Sequence, residues 1–307
     1  MTSRVTVLMG GASAERDVSL RSGAAAAGAL EQAGFIVTVL DVGRDPADIA
    51  ARVTSSKPDV VFNALHGRWG EDGCVQGILD LLGIPYTHSG LLASAAAMDK
   101  SFARHIFAQA GLPVAQGRVI KKGVVTGDPL PRPYVVKPLN EGSSVGVYIV
   151  RHGDNAPTPL ETWPFDGDVV LVETFIPGRE MTVAVMGDRA LGALEITSEH
   201  GFYDYEAKYA PGGSKHIYPA PLPSADYQEA CRLGLEAHRV LGCRGVSRTD
   251  LRYDDTQPGI APRFVVLEVN TQPGMTATSL VPEIAAHQGI SFPELVRWMV
   301  ENARCGL

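Results

Sequence analysis

Arg248, Asp250, Glu268 and Asn270 stand at i and i+2 spacing within two apolar runs, residues 245–253 and 264–270. Side chains alternate along a strand, so each pair shares a face. On the second run, strict alternation puts Glu268 and Asn270 on a face with Phe264 and Val266, with Val265, Leu267 and Val269 on the other. Two acids, an amide and a guanidinium on one surface are costly unless they hold something charged. Oxygen ligands suit magnesium and arginine suits anionic oxygens, so the fitting guest is a divalent metal with phosphate. A solvated sheet face shows the same alternation, and the remainder of the chain must decide between them.

Two further polar stretches follow apolar strands: Gly10-Gly-Ala-Ser-Ala-Glu15 and His66-Gly-Arg-Trp-Gly-Glu-Asp-Gly73. Glu15 either complements a helix dipole or binds an ammonium group. Ser13 and Ser19 read as caps or as ligands, and His66 as a strand-end hydrogen-bonding group or a site residue. Lys137, late in an apolar run, is an edge-strand gatekeeper or a phosphate partner. The loop 140–146, with Glu141, Gly142, Ser143, Ser144 and Val145, is a hairpin turn or a phosphate cradle of backbone N–H groups. It lacks the GxxxxGK[ST] pattern, and Gly10-Gly11 opens no GxGxxG fingerprint. Glu180 reads as a ribose acceptor or a surface ion pair. Residues 200–218, rich in Tyr and Lys around Gly212-Gly213, read as a lid over a site or as a surface loop. Gly274 permits close backbone approach to a ligand.

The elements that must position these groups follow from the apolar pattern. Strands are expected at 5–9, 35–42 and 60–65. Helices are expected at 18–33, stopped by Gly34, and from Asp45-Pro46, an N-cap followed by proline at N1. Such alternation argues a parallel sheet with helices on both faces, and ligands gather at the carboxyl ends of its strands. A helix at 100–110 follows a boundary near 94–99. Residues 112–120 and 134–139 are expected in a second, mixed sheet, with another strand at 169–176. Strands 181–186 and 190–197 form a hairpin around Gly187-Asp188. A helix at 225–241 is expected to be capped by Ser224 and stopped by Gly242, and Pro282 and Pro293 mark later helix starts.

The 307 residues carry a formal charge of -7 and 45% hydrophobic content, as expected of a mildly acidic soluble globular protein of two or three domains. This balance argues against a nucleic-acid partner. No apolar run reaches the roughly 20 residues that a bilayer requires, so no membrane partner is expected. The strand pattern begins at once, leaving no room for a signal segment. Cys74, Cys231, Cys243 and Cys305 are scattered, which argues against zinc or disulfides and for a reducing cytoplasm.

Four motifs in order resemble the D-alanine–D-alanine ligase family of the ATP-grasp superfamily: Gly10-Gly-x-Ser13-x-Glu15-x-x-Val18-Ser19, His66-Gly-x-x-Gly70-Glu71-Asp72-Gly73, Tyr203-Asp-Tyr-Glu-Ala-Lys208-Tyr209, and Asn270-Thr-x-Pro-Gly-Met275-Thr276. The resemblance implies an α/β (α+β multi-domain) ATP-grasp fold with an N-terminal parallel-sheet domain. The implied division is 1–96, 97–180 and 181–307. It implies ATP-dependent joining of two D-alanines through an acyl phosphate, for cell-wall peptidoglycan precursors. Lys100, Lys137, Lys208 and the Glu141–Val145 stretch would meet phosphates. Glu173 and the backbone of Thr174, Phe175 and Ile176 would meet adenine, with Glu180 on the ribose. Asp250, Glu268 and Asn270 would hold two magnesium ions, with manganese as a substitute and potassium as an activator. Glu15 would bind the first substrate's ammonium near His66, while Ser279 and Leu280 would contact the second substrate. Arg248 and the Gly274 N–H would face the oxyanion. Glu15, Ser143 and Tyr209 would form a hydrogen-bonded set across the domains. The Lys208-Tyr209 pair favours an amine over D-lactate as second nucleophile. A homodimer is implied as well.

Overall fold

β1 (Arg4–Gly10) lies between β2 (Ile36–Val42) and β3 (Val60–Asn63), all parallel. The computed structural model describes residues 3–121, 127–140, 142, 146–154, 168–197, 213–261 and 263–306. Alternation along β1 sends Val5 and Val7 to one core and Leu8 to another. α1 (Arg16–Gln32) packs its alanine-rich face on the first side. α2 (Pro46–Ser56) and α3 (Cys74–Leu82) cover the second. Asp45 caps α2 as its sequence implies, accepting from the Ala47 N–H at 2.9 Å. α4 (Leu91–Met98) and α5 (Lys100–Gln109) meet at Asp99, whose carboxylate caps α5 by accepting from the Phe102 N–H.

The second sheet contains β4 (Gly117–Lys121), β5 (Tyr134–Lys137), β6 (Tyr148–Val150) and β7 (Val169–Thr174), in the order β4-β7-β5-β6. Every pairing in it is antiparallel, not mixed as expected. Its first strand also begins later than residue 112. Val114 instead bridges Val266, and the Pro113 carbonyl accepts from the Val266 N–H, so this stretch belongs to the third sheet's flank.

That third sheet joins β8 (Arg179–Met186), β9 (Arg189–Thr197), β10 (Lys215–Ile217), β11 (Val246–Asp254) and β12 (Arg263–Asn270) in the order β10-β9-β8-β11-β12, antiparallel throughout. α6 (Ser224–Val240) packs on one face of this sheet. Ser224 is its first helical residue, and Pro223 takes the N-cap position without a side-chain bond, so the expected serine cap is not formed. α7 (Leu280–His287) and α8 (Phe292–Glu301) pack on the opposite face. Their core is shared with the first sheet: Val5, Val7 and Phe62 cluster with Ala184, Leu194, Ile284 and Leu295.

β12 departs from strict alternation. Asp250 pairs with Glu268, but Leu251 pairs with Val266, leaving Leu267 as a bulge. Glu268 and Asn270 therefore lie on the face of Val265, not with Phe264 and Val266 as alternation suggests. Phe264, Val266 and Val269 join the core beneath α6. A bulge re-aims side chains in this way by inserting one residue.

Candidate active site

A cavity of about 380 Å³ opens where the carboxyl ends of the first sheet meet the ends of β11 and β12. Glu15, His66 and Gly142 line one side of it; Lys100, Arg248, Glu268, Asn270 and Gly274 line another. Ser279 and Leu280, at the start of α7, line a third. Lys137, Glu173, Glu180 and Asp250 do not line this cavity, and neither does the 174–176 stretch.

Glu15 occupies the N-cap position of α1, yet its side chain makes no capping bond. Its buried carboxylate is turned toward the cavity, where two glycines press on it. A Cβ at Gly67 would stand 2.7 Å from Glu15 Oε2, and one at Gly142 would stand 3.0 Å from it. Gly67 also has a φ of +68°, which disfavours any side chain. The two serines beside Glu15 are structural. The Ser13 hydroxyl donates to the His66 carbonyl at 2.6 Å, and that of Ser19 donates to the Ala64 carbonyl at 2.7 Å. The His66 ring reaches the Ser22 hydroxyl at 3.1 Å, and Ser22 accepts from the Met275 N–H at 3.2 Å. His66 is thus tied to the loop that carries Gly274.

On β11, Arg248 donates from Nε and Nη2 to the two carboxylate oxygens of Asp250, each at 2.9 Å. Lys100 Nζ lies 3.5 Å from Glu268 Oε2. Asn270 faces Arg248 across the register, and its Oδ1 accepts from the Gln272 N–H at 2.8 Å. Cationic side chains thus lie on two of the three expected metal ligands. All three offer hard oxygen donors, which fit a divalent cation, and the Lys100 and Arg248 charges beside them suit phosphate. Among the described residues, no three His, Cys, Asp or Glu side chains form a metal cage by themselves.

Sequence reasoning missed several residues that organise this site. Gln272 is buried; its Oε1 accepts from Asn63 Nδ2 at 2.8 Å, and its own amide donates to the Leu65 carbonyl. Arg252 continues the face of Arg248 and Asp250. It donates to the Ile176 carbonyl at 3.1 Å and the Gly178 carbonyl at 2.7 Å, and to Glu180 at 3.3 Å. The alternation Arg248, Asp250, Arg252, Asp254 carried that signal. Glu173 is buried and holds both Lys137 and Arg104, so the expected adenine and phosphate contacts sit in one ion-paired cluster. Arg21 and His216 also line the cavity. Glu141, Ser143, Ser144, Val145, Lys208 and Tyr209 lie outside the described residues, as does the 200–212 part of the expected lid.

The chain matches two family models, described as D-ala D-ala ligase N-terminus over residues 41–89 and D-ala D-ala ligase C-terminus over residues 106–301. A D-alanine–D-alanine ligase of Paramagnetospirillum magneticum is 76% identical over 306 residues, covering 99% of this chain and 100% of the relative. One from Rhodospirillum rubrum is 59% identical, covering 99% of each. A crystal structure of D-alanine–D-alanine ligase from Bacillus anthracis complexed with ATP superposes with a TM-score of 0.81 at 29% identity. It covers 98% of this chain and 97% of that one.

Proposed function

The chain belongs to the D-alanine–D-alanine ligase family, and from that premise we propose how its cleft joins two D-alanines at the expense of ATP. The observation that carries the reading is the pairing of opposite chemistries in one cavity. Glu15 offers a carboxylate for an ammonium group, and Arg248, Lys100, Glu268 and Asn270 form a charged end suited to phosphate and metal.

The first D-alanine docks its ammonium on Glu15, with His66 near its carboxylate. One carboxylate oxygen attacks the γ-phosphorus of ATP; the bond to the bridging oxygen breaks and ADP leaves. The amine nitrogen of the second D-alanine then attacks the acyl carbon. Negative charge gathers on the carbonyl oxygen, where Arg248 and the Gly274 N–H are the donors. The carbon–oxygen bond to phosphate breaks, the nitrogen gives up its proton, and D-alanyl-D-alanine, phosphate and ADP result. Ser279 holds the second substrate from the start of α7. Its hydroxyl is engaged with Thr276 instead of capping the helix. Pro282 has no N–H and that of Glu283 donates to the Ser279 carbonyl, so the Leu280 and Val281 N–H groups are those left to meet a carboxylate.

Two magnesium ions, held by Asp250, Glu268 and Asn270, would offset the charge of the meeting anions. Manganese would substitute for them and potassium would activate. Lys137 and Glu173 adjoin the nucleotide in this reading, and Glu180 reaches its ribose. Lys208 and Tyr209, in the same reading, favour an amine over D-lactate as the second nucleophile. The same proposal includes a homodimer, a cytoplasmic setting and the division at 97 and 181. Among the described residues, no helix is long and apolar enough to cross a membrane.

Product identification by mass tests the reaction. Purified protein with ATP, magnesium and D-alanine should yield D-alanyl-D-alanine and stoichiometric phosphate. Adding D-lactate should yield little D-alanyl-D-lactate; a dominant ester product would reassign the second substrate, and no phosphate release would end the catalytic reading.

A further inference from the structure

β10 and Tyr218, the residue after it, meet α7 through two contacts. His216 and Tyr218 are two residues apart and so project to one side of an extended chain. Glu283 and His287 are four apart and stack on one face of α7. His216 Nδ1 lies 2.6 Å from Glu283 Oε2, with only 21% and 27% of the two side chains exposed. The Tyr218 ring stacks on His287 at 4.6 Å between centroids and 18° between planes. Its hydroxyl also accepts from the Gln288 amide, just past the helix. The strand is thereby fastened to the helix at both ends of a one-turn span.

Glu283 lies one turn after Ser279, and its N–H donates to the Ser279 carbonyl at 2.9 Å. His216 itself lines the cavity that Ser279 and Leu280 border. We propose that His216 is a positioning residue for the second-substrate subsite: by holding Glu283, it fixes the start of α7 and with it Ser279 and Leu280. This rests on the reading that Ser279 and Leu280 contact the second D-alanine. An exposed ion pair contributes little. This pair is largely shielded and backed by the Tyr218 stack, so its loss frees a helix end and not merely a surface charge.

The test uses the full chain with ATP and magnesium, and resolves the two D-alanine KM values from the substrate dependence of the rate. His216→Asn and Glu283→Gln should each raise the second KM by about 3- to 10-fold, less than the roughly 10- to 150-fold worth of a hydrogen bond made directly to a charged substrate group, because the pair acts through the helix. The first KM and kcat should stay within about twofold of the parent. The double variant should be no worse than the poorer single, because both remove one interaction. An unchanged second KM, additive losses, or equal damage to both KM values and kcat would overturn the proposal. Ser279→Ala separates it from its premise. If Ser279→Ala raises the second KM while the pair variants do not, the proposal alone fails. If Ser279→Ala leaves that KM unchanged, the assignment of the subsite fails and the proposal falls with it.

Discussion

The Glu15 carboxylate is turned away from the helix it begins and into the cavity, against the backbone of Gly67 and Gly142. Glu15→Gln keeps the shape and removes the charge. A hydrogen bond to a charged group contributes about 1.5–3 kcal/mol, so kcat/KM for D-alanine should fall by about 10- to 150-fold. Steady-state rates against D-alanine check this, and an unchanged value would move the ammonium subsite elsewhere. Glu268→Gln should nearly abolish turnover and raise the magnesium concentration needed for half-activity. Near-parental activity in that variant would place the metal elsewhere. Glu15, Arg248, Glu268 and Asn270 were legible because short spacings and motifs carry them. Gln272 was not: it fills a variable position in its motif, and its partner Asn63 is 209 residues away. Arg252 stood in view, but its work on the 176–180 turn depends on sheet pairing that no local pattern states.

Most elements followed from periodicity and caps, because those signals are local. Asp45-Pro46 is an example in which the expected cap forms as the sequence implies. Asp45→Ala should therefore cost about 1 kcal/mol of stability without altering turnover, as urea denaturation beside an activity assay would register. A loss of activity equal to the loss of stability would give Asp45 a role beyond the cap. β12 does not keep the simple two-residue repeat. Counting by twos places Glu268 on the face of Phe264 and Val266, yet that face is core. The bulge at Leu267 turns Glu268 and Asn270 out of the core while keeping Asp250 opposite Glu268. The extra residue is visible only against a partner strand. Residues 112–116 misled for a similar reason: an apolar run suits a strand, but here it lies along the flank of β12 and not within the second sheet.

At the scale of the molecule, buried His88 stands where the first sheet meets the third, between Phe62 and Gly245. His88 lies fully buried; desolvation, assisted by the nearby His66, lowers its pKa from 6.5 to about 3. Burial, with Arg239 close by, lowers that of His238 to about 4. The unfolded chain takes up these protons near pH 6.5, and the folded chain only near 3 and 4. Stability should thus be level above about pH 6.5 and fall steadily as pH drops toward 4. Urea midpoints at pH 7, 6 and 5 check this; a flat profile over that range would mean that other groups compensate. Arg244 makes a second junction. It donates to the carbonyls of His88, Arg304 and Cys305 and lies over the Tyr86 ring.

The core beneath β1 has a consequence for how the protein is made. Val5 and Val7 leave the ribosome well before Ile284, Leu295 and Met299, which share their cluster. At synthesis rates of about 5–20 residues per second, the first sheet waits many seconds with its α8-facing surface uncovered. In a crowded cell, that interval is when a chaperone would have something to hold.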